Sequence, residues 1–120
     1  MTLAAVTLDC ADPLQLGAFY AEATGLALDG GSDSDFVCCA SGLFLGFQRV
    51  NGYQRPRWPG QQQAQQAYLD FEVDDLDQAE AALLLRGATK PDVQPSGRWR
   101  VLTDPAGHPF CLTTTRMVRS

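Results

Sequence analysis

The stretch "AYLDFEV", residues 67–73, sets Tyr68, Asp70 and Glu72 two residues apart. In an extended strand that spacing puts all three side chains on one face. Two carboxylates beside a phenol can move a proton as general base and acid, or they can pair with a cationic, amine-bearing ligand. Asp70 and Tyr68 are the candidates for proton transfer. The competing reading is structural: a salt bridge from Arg98 or Arg100 on a neighbouring strand, with the strand end in water. Glu72 is assigned to that structural role, and Asp70 is open to both.

Other reactive side chains are few. His108, in the turn "AGHPF", is the only histidine. A general base must point into a pocket, whereas a residue on a hairpin tip does not, so His108 is given a structural role. Cys111 has no histidine placed to activate it and reads as a small buried thiol. Trp58, in "RPRWPG", and Trp99, in "GRWRV", offer large apolar area with one polar handle and could stack on a ligand. Trp58 either covers a pocket or packs against a second subunit, while Trp99 is assigned to packing. Arg55 and Arg57 would meet an anionic ligand or solubilise their loop.

The elements that must position these residues are written twice. A strand at 3–10 leads to a helix over 13–24, where Asp12 is the N-cap, Pro13 opens the first turn and Gly25 ends it. Leu14, Leu16, Phe19, Tyr20 and Ala23 form its apolar side. Strands follow at 26–28, 36–40 and 43–49. The second unit repeats the order: a strand at 67–73, a helix over 76–86 capped by Asp75, a short strand near Thr89, and strands at 98–103 and 110–114. Laying Asp12 on Asp75 places Asp9 on Glu72, and Gly42 matches Gly107. The pattern is a βαβββ module at 1–49 and another at 67–115, joined by a connection over 50–66, all within one domain of 120 residues. Two such modules give an α+β fold of curved mixed sheets.

Strand alternation sorts the faces. Val6, Leu8 and Cys10, Leu69, Phe71 and Val73, Leu45 and Phe47, and Phe110 and Leu112 form apolar sets that should pack beneath the helices. The opposite face carries Ala5, Thr7 and Asp9; Phe44, Gly46 and Gln48; Tyr68, Asp70 and Glu72; and Cys111 and Thr113. That mixed face suits a partly wet concave pocket, or simply a sheet showing one side to water.

Composition narrows the partners. A net charge of −5 argues against a nucleic-acid groove or an anionic membrane surface. No apolar run reaches the roughly 20 residues of a membrane span, and the opening "MTLAAVTLDCADP" lacks the basic segment of a signal peptide. The four cysteines form no C-x-x-C pair, which suits reduced thiols in a cytoplasmic protein.

The series "LDCADPLQLGAFYAEATGL", "FQRVNGY…PRWP", "LDFEVDDLDQAEAALLLRGA" and "GRWRVLTDPAGHPFCL" resembles the vicinal oxygen chelate superfamily. That group includes glyoxalase I, extradiol dioxygenases, fosfomycin-resistance enzymes and bleomycin-resistance proteins. Small bacterial glyoxalase-like domain proteins are the nearest in pattern. The resemblance implies the glyoxalase/bleomycin resistance/dihydroxybiphenyl dioxygenase fold, with a concave cleft. In metal-dependent members four side chains hold a divalent ion, and those positions fall here on Ala5, Gly46, Tyr68 and Cys111. Alanine and glycine have no side-chain donor, and a neutral phenol with a lone thiol poorly suits a hard cation. The expectation is therefore no metal and no other cofactor.

The resulting expectation is a homodimer that binds a small organic molecule without turnover, as in resistance by sequestration. Thr7, Phe44, Gln48, Trp58, Tyr68, Asp70 and Cys111 would contact the ligand. The alternatives are a metal-independent isomerase, lyase or hydrolase of secondary metabolism using Asp70 or Tyr68, and a metal-dependent lyase or dioxygenase with ligands recruited elsewhere.

Overall fold

A computed structural model describes residues 3, 5–29, 33–40, 44–59 and 69–114, without the side chains of Cys38, Ala40 and Phe44. Tyr68, Gly42, residues 60–66 of the connection and the last six residues lie outside that description. The chain divides into two units, Met1–Arg55 and Pro56–Ser120.

In the first unit, local chemistry sets the helix ends. The Asp12 carboxylate accepts from the Gln15 N–H at 3.2 Å, so α1 (Pro13–Thr24) begins with a satisfied donor. It stops at Gly25, whose φ of 77° is left-handed and whose N–H reaches the Ala21 carbonyl at 2.9 Å. Around α1 run β1 (Ala5–Cys10), β2 (Ala27–Leu28), β3 (Phe36–Ala40) and β4 (Phe44–Arg49). They form one sheet in the order β1-β4-β3-β2, with β1 and β4 parallel and the other pairs antiparallel.

Pro13, Leu16, Gly17, Phe19 and Tyr20 are the buried residues of α1. Tyr20 stacks on Phe47 with centroids 5.4 Å apart, and Phe19 meets Tyr20 edge-on. Val37, Cys39 and Phe47 complete this core from the sheet, each large apolar side chain contributing about 1.5–3 kcal/mol on burial. Leu14 and Ala23, expected on the buried side, are exposed, Leu14 by 52 %. The buried stripe runs 13-16-17-20, and Leu14 is rotated off it.

The second unit repeats the plan with shorter pieces: β5 (Leu69–Glu72), α2 (Leu76–Leu85), β6 (Trp99–Thr103) and β7 (Pro109–Thr113). Asp75 caps α2 through the Gln78 N–H at 2.9 Å. The sheet order is β5-β7-β6, with β5 and β7 parallel and β6 and β7 antiparallel. Phe71 meets Phe110 edge-on at 5.7 Å on the helix side.

The short strand expected near Thr89 is a single bridge, Thr89 to Thr103. Further along the β6 edge, a side chain does a strand's work. The Gln94 amide donates to the Val101 carbonyl at 2.9 Å and accepts from the Val101 N–H at 3.0 Å. Both edge groups of Val101 are thereby satisfied without a fourth strand.

Candidate functional site

Which face of each sheet turns away from its helix is fixed by what the helix takes. In the second unit that face is not open throughout, since Val101 and Cys111 on it are each 2 % exposed. In the first unit Tyr20 packs on Phe47, so Phe47 and its register partners Leu8 and Val37 face α1. Thr7, Asp9, Gly46, Gln48 and Phe36 therefore face away. In the second unit Arg100 reaches α2, with 2.7 Å to Asp77 and 3.1 Å to Glu80. Arg100 is in register with Leu112, itself opposite Phe71. Trp99, Val101, Cys111, Thr113, Asp70 and Glu72 thus occupy the other face.

This overturns one sequence expectation. Arg100 cannot serve as the salt-bridge partner of Asp70 or Glu72, because its guanidinium is engaged with α2 on the opposite side. Alternation places Arg100 with Leu102 and away from Trp99, and Asp77 and Glu80 sit one helical turn apart above it. That signal was present in the sequence.

Gly46 holds the most informative position. A Cβ built there would lie 2.8 Å from Phe36 Cζ and 3.1 Å from Thr7 Oγ1. The Phe36 ring, 41 % exposed, leans across β4 into the space that any side chain at 46 would need. An Asx turn aims it: the Asp33 carboxylate accepts from the N–H groups of Asp35 at 2.8 Å and Phe36 at 2.9 Å. Those bonds, from Phe36 first and Asp35 second, hold the Asp33 carboxyl below its ordinary range. Phe36 was not among the expected ligand contacts, since its lean over Gly46 depends on cross-strand register.

The remaining sequence candidates distribute as follows. Thr7 and Gln48 are exposed on the open face of the first unit, as is Ala5. Phe44 is placed there by its backbone register with Ala5. Asp70 is exposed and in register with Cys111, but Cys111 itself is only 2 % exposed. Trp58 is half-buried in the second unit, and Tyr68 lies outside the described residues. Among the described residues no three of His, Cys, Asp and Glu come together as a possible metal-binding group.

His108, expected on a hairpin tip, is buried. Its N–H donates to the Asp104 carboxylate at 3.0 Å, and Ala106 N–H does so at 2.9 Å. Asp104, also buried, thus closes the β6–β7 turn. The 108 position belongs to the folding of that turn.

Comparison with known proteins decides the family. A family model described as a glyoxalase-like domain matches residues 5–113. The chain belongs to that family. With it comes membership of the vicinal oxygen chelate superfamily, and the α+β fold expected from the doubled module is the fold observed.

Solved structures place this glyoxalase-like domain among several kinds of protein. A glyoxalase/bleomycin resistance protein/dioxygenase family enzyme from Burkholderia phytofirmans PsJN superposes with a TM-score of 0.73 at 18 % identity, covering 93 % of this chain and 97 % of that one. The fosfomycin resistance protein FosX from Mesorhizobium loti gives 0.71 at 14 % identity, covering 97 % and 93 %. The bleomycin-binding protein of Streptomyces verticillus, complexed with copper(II)-bleomycin, gives 0.60 at 22 % identity, covering 97 % and 98 %. At these identities the likeness is one of fold, which hosts many activities. No curated protein sequence matches the chain. Among the described residues, no helix is long and apolar enough to cross a membrane.

Proposed function

We propose that this glyoxalase-like domain binds a small organic molecule on the open faces of its sheets and does so without a metal ion. The observation that carries the reading is the Phe36 ring lying over Gly46. In metal-dependent members of the superfamily, the resemblance puts a ligand side chain at position 46. Here the position has no donor, and the adjoining space is taken by the Phe36 ring, whose Cζ would lie 2.8 Å from a Cβ at 46. Ala5, the partner position on the same sheet face, adds no donor either. The residues present do not fit a divalent cation, so the Lewis-acid chemistry of glyoxalases and dioxygenases has no support at these positions.

What replaces the ligand set is an apolar shelf bordered by hydrogen-bonding groups, the usual make-up of a small-molecule site. The likeness to a bleomycin-binding protein supports sequestration as the role. A homodimer in the cytoplasm completes the proposal, and a monomer in light scattering at micromolar concentration would contradict the dimer.

A thermal-shift screen of small organic molecules tests the binding reading. Stabilising hits recovered chemically unchanged after prolonged incubation support it. A hit that is consumed by the wild type but not by Asp70→Asn would replace it with metal-independent proton-transfer catalysis.

A further inference from the structure

The chain contains a single asparagine, Asn51, and a glycine follows it. The pair sits just past the end of the β1–β4 ladder, where the Val50 N–H donates to the Cys10 carbonyl at 2.9 Å. Beyond that bond the backbone turns. Gly52 has a φ of 72°, a left-handed conformation that glycine takes without cost and L side chains rarely adopt. Asn51 and Gly52 are both exposed, and a Cβ built on Gly52 would meet nothing within 4 Å. Among the described residues, neither the Asn51 amide nor the Gly52 N–H makes a hydrogen bond.

An Asn-Gly pair is first of all good turn chemistry. The same features leave a reaction unguarded. A bond between Asn51 Cγ and the Gly52 backbone nitrogen closes a five-membered ring. In a folded chain three things ordinarily prevent it: a following side chain that crowds the nitrogen, a hydrogen bond that occupies the N–H, and packing that stops the asparagine from rotating. All three are missing at 51–52. Distortion of an exposed turn with no hydrogen bonds of its own belongs to the low-cost end of local opening.

We infer that Asn51 is a spontaneous modification site, converting in the folded protein to a mixture of aspartyl and isoaspartyl residues. The Gly52 nitrogen gives its proton to solvent base and attacks Asn51 Cγ. The N–Cγ bond forms, the Cγ–Nδ2 bond breaks, and the side-chain nitrogen leaves as ammonia. Water then opens the cyclic imide. Attack at Cγ gives aspartate, and attack at the main-chain carbonyl gives isoaspartate, whose backbone runs through the former side chain. Either product puts a carboxylate where a neutral amide stood, adding one negative charge to the net −5. The Val50–Cys10 bond lies on the strand side of the turn, so the sheet is retained in both products.

Peptide mapping of aged protein tests the assignment. Trypsin cuts after Arg49 and Arg57, since Arg55 precedes a proline, and releases peptide 50–57 with the only asparagine. Protein held at mildly alkaline pH should yield this peptide with the mass of an amide turned acid, split into two chromatographic forms. Its conversion should proceed within about ten-fold of the rate in the free synthetic peptide, because each tenfold of protection needs about 1.4 kcal/mol of local opening. The rate should climb with pH, as attack requires the deprotonated nitrogen. Gly52→Ala, which crowds that nitrogen, should slow conversion by about ten-fold or more, equivalent to at least about 1.4 kcal/mol in barrier. Asn51→Gln keeps the glycine and would have to close a larger ring, so its peptide should stay unconverted over the same period; it serves if Gly52→Ala does not fold. The aged wild type should keep its far-UV circular dichroism. Conversion slower than that ten-fold window, conversion unaffected by either substitution, or a lost circular dichroism signal, which would place the chemistry in unfolded chain, overturns the assignment.

Discussion

Substituting Gly17 by alanine should destabilise the protein, although alanine is the better helix former. Gly17 lies in the middle of α1 where the helix crosses β3. An added Cβ would sit 2.4 Å from Val37 Cγ1, 3.3 Å from Val37 Cβ and 3.4 Å from Leu28 Cδ2. Ordinary carbon contacts lie near 3.5–4.0 Å, so helix and strand must part by about 1 Å. Val37 cannot turn aside easily, being β-branched and fully buried. Overpacking of this kind costs about 1–3 kcal/mol, while helix propensity returns about 1 kcal/mol. The expected balance is a loss of about 1 kcal/mol, or a fall in Tm of roughly 3–6 °C for a chain of this length. Urea unfolding followed by far-UV circular dichroism measures it. The decisive comparison is the double variant with Val37→Ala, which removes the methyl that the new Cβ strikes. A favourable coupling of at least about 0.5 kcal/mol is expected between the two positions. If Gly17→Ala stabilises the protein, or if the two changes simply add, the close approach of α1 to β3 is not as described. Because β3 carries Phe36, the same variant should also weaken ligand binding in the first unit.

Two further predictions concern the second unit. Gln94→Ala should destabilise by about 1–3 kcal/mol in urea unfolding, because it strands the edge N–H and C=O of Val101; Gln94→Glu, which keeps the acceptor but loses the donor, should fall between. Glu80 gives a pH dependence. Burial pushes its carboxyl up, but the hydrogen bonds from Lys90 and Arg100 outweigh that and hold it below its ordinary range. With the folded value depressed, the Glu80 contribution is complete above the ordinary glutamate pKa, about 4.3, and fades as pH falls through the folded value. The stability gap between wild type and Glu80→Gln should accordingly be constant near neutrality and close in acid; a gap that widens in acid would refute the pairing.

How far the sequence carries can be judged from particular residues. The bounds of α1 are legible to the residue, because Asp12, Pro13 and Gly25 each act within one turn of the chain. The two modules are legible because alternation and helical spacing are local and appear twice. Leu14 misleads, since an apolar type does not say which way a helix is rotated. Arg100 misleads too, until its place in the alternation of β6 is set against the acids of α2. Phe36 over Gly46 and Gln94 at the β6 edge are out of reach: the first depends on the register of β3 on β4, the second on a loop side chain finding a backbone seven residues away. What survives from the sequence at the site is the absence of donors at Ala5 and Gly46, which no folding can change.

Metal binding is therefore the most direct measurement. Protein stripped with a chelator and titrated calorimetrically with Ni(II), Mn(II), Zn(II) and Fe(II) should show no stoichiometric site, and its thermal stability should not respond to any of them. One equivalent held per chain at micromolar affinity or tighter, and lost on Cys111→Ser or Tyr68→Phe, would mean that a metal centre persists although Ala5 and Gly46 supply no donor.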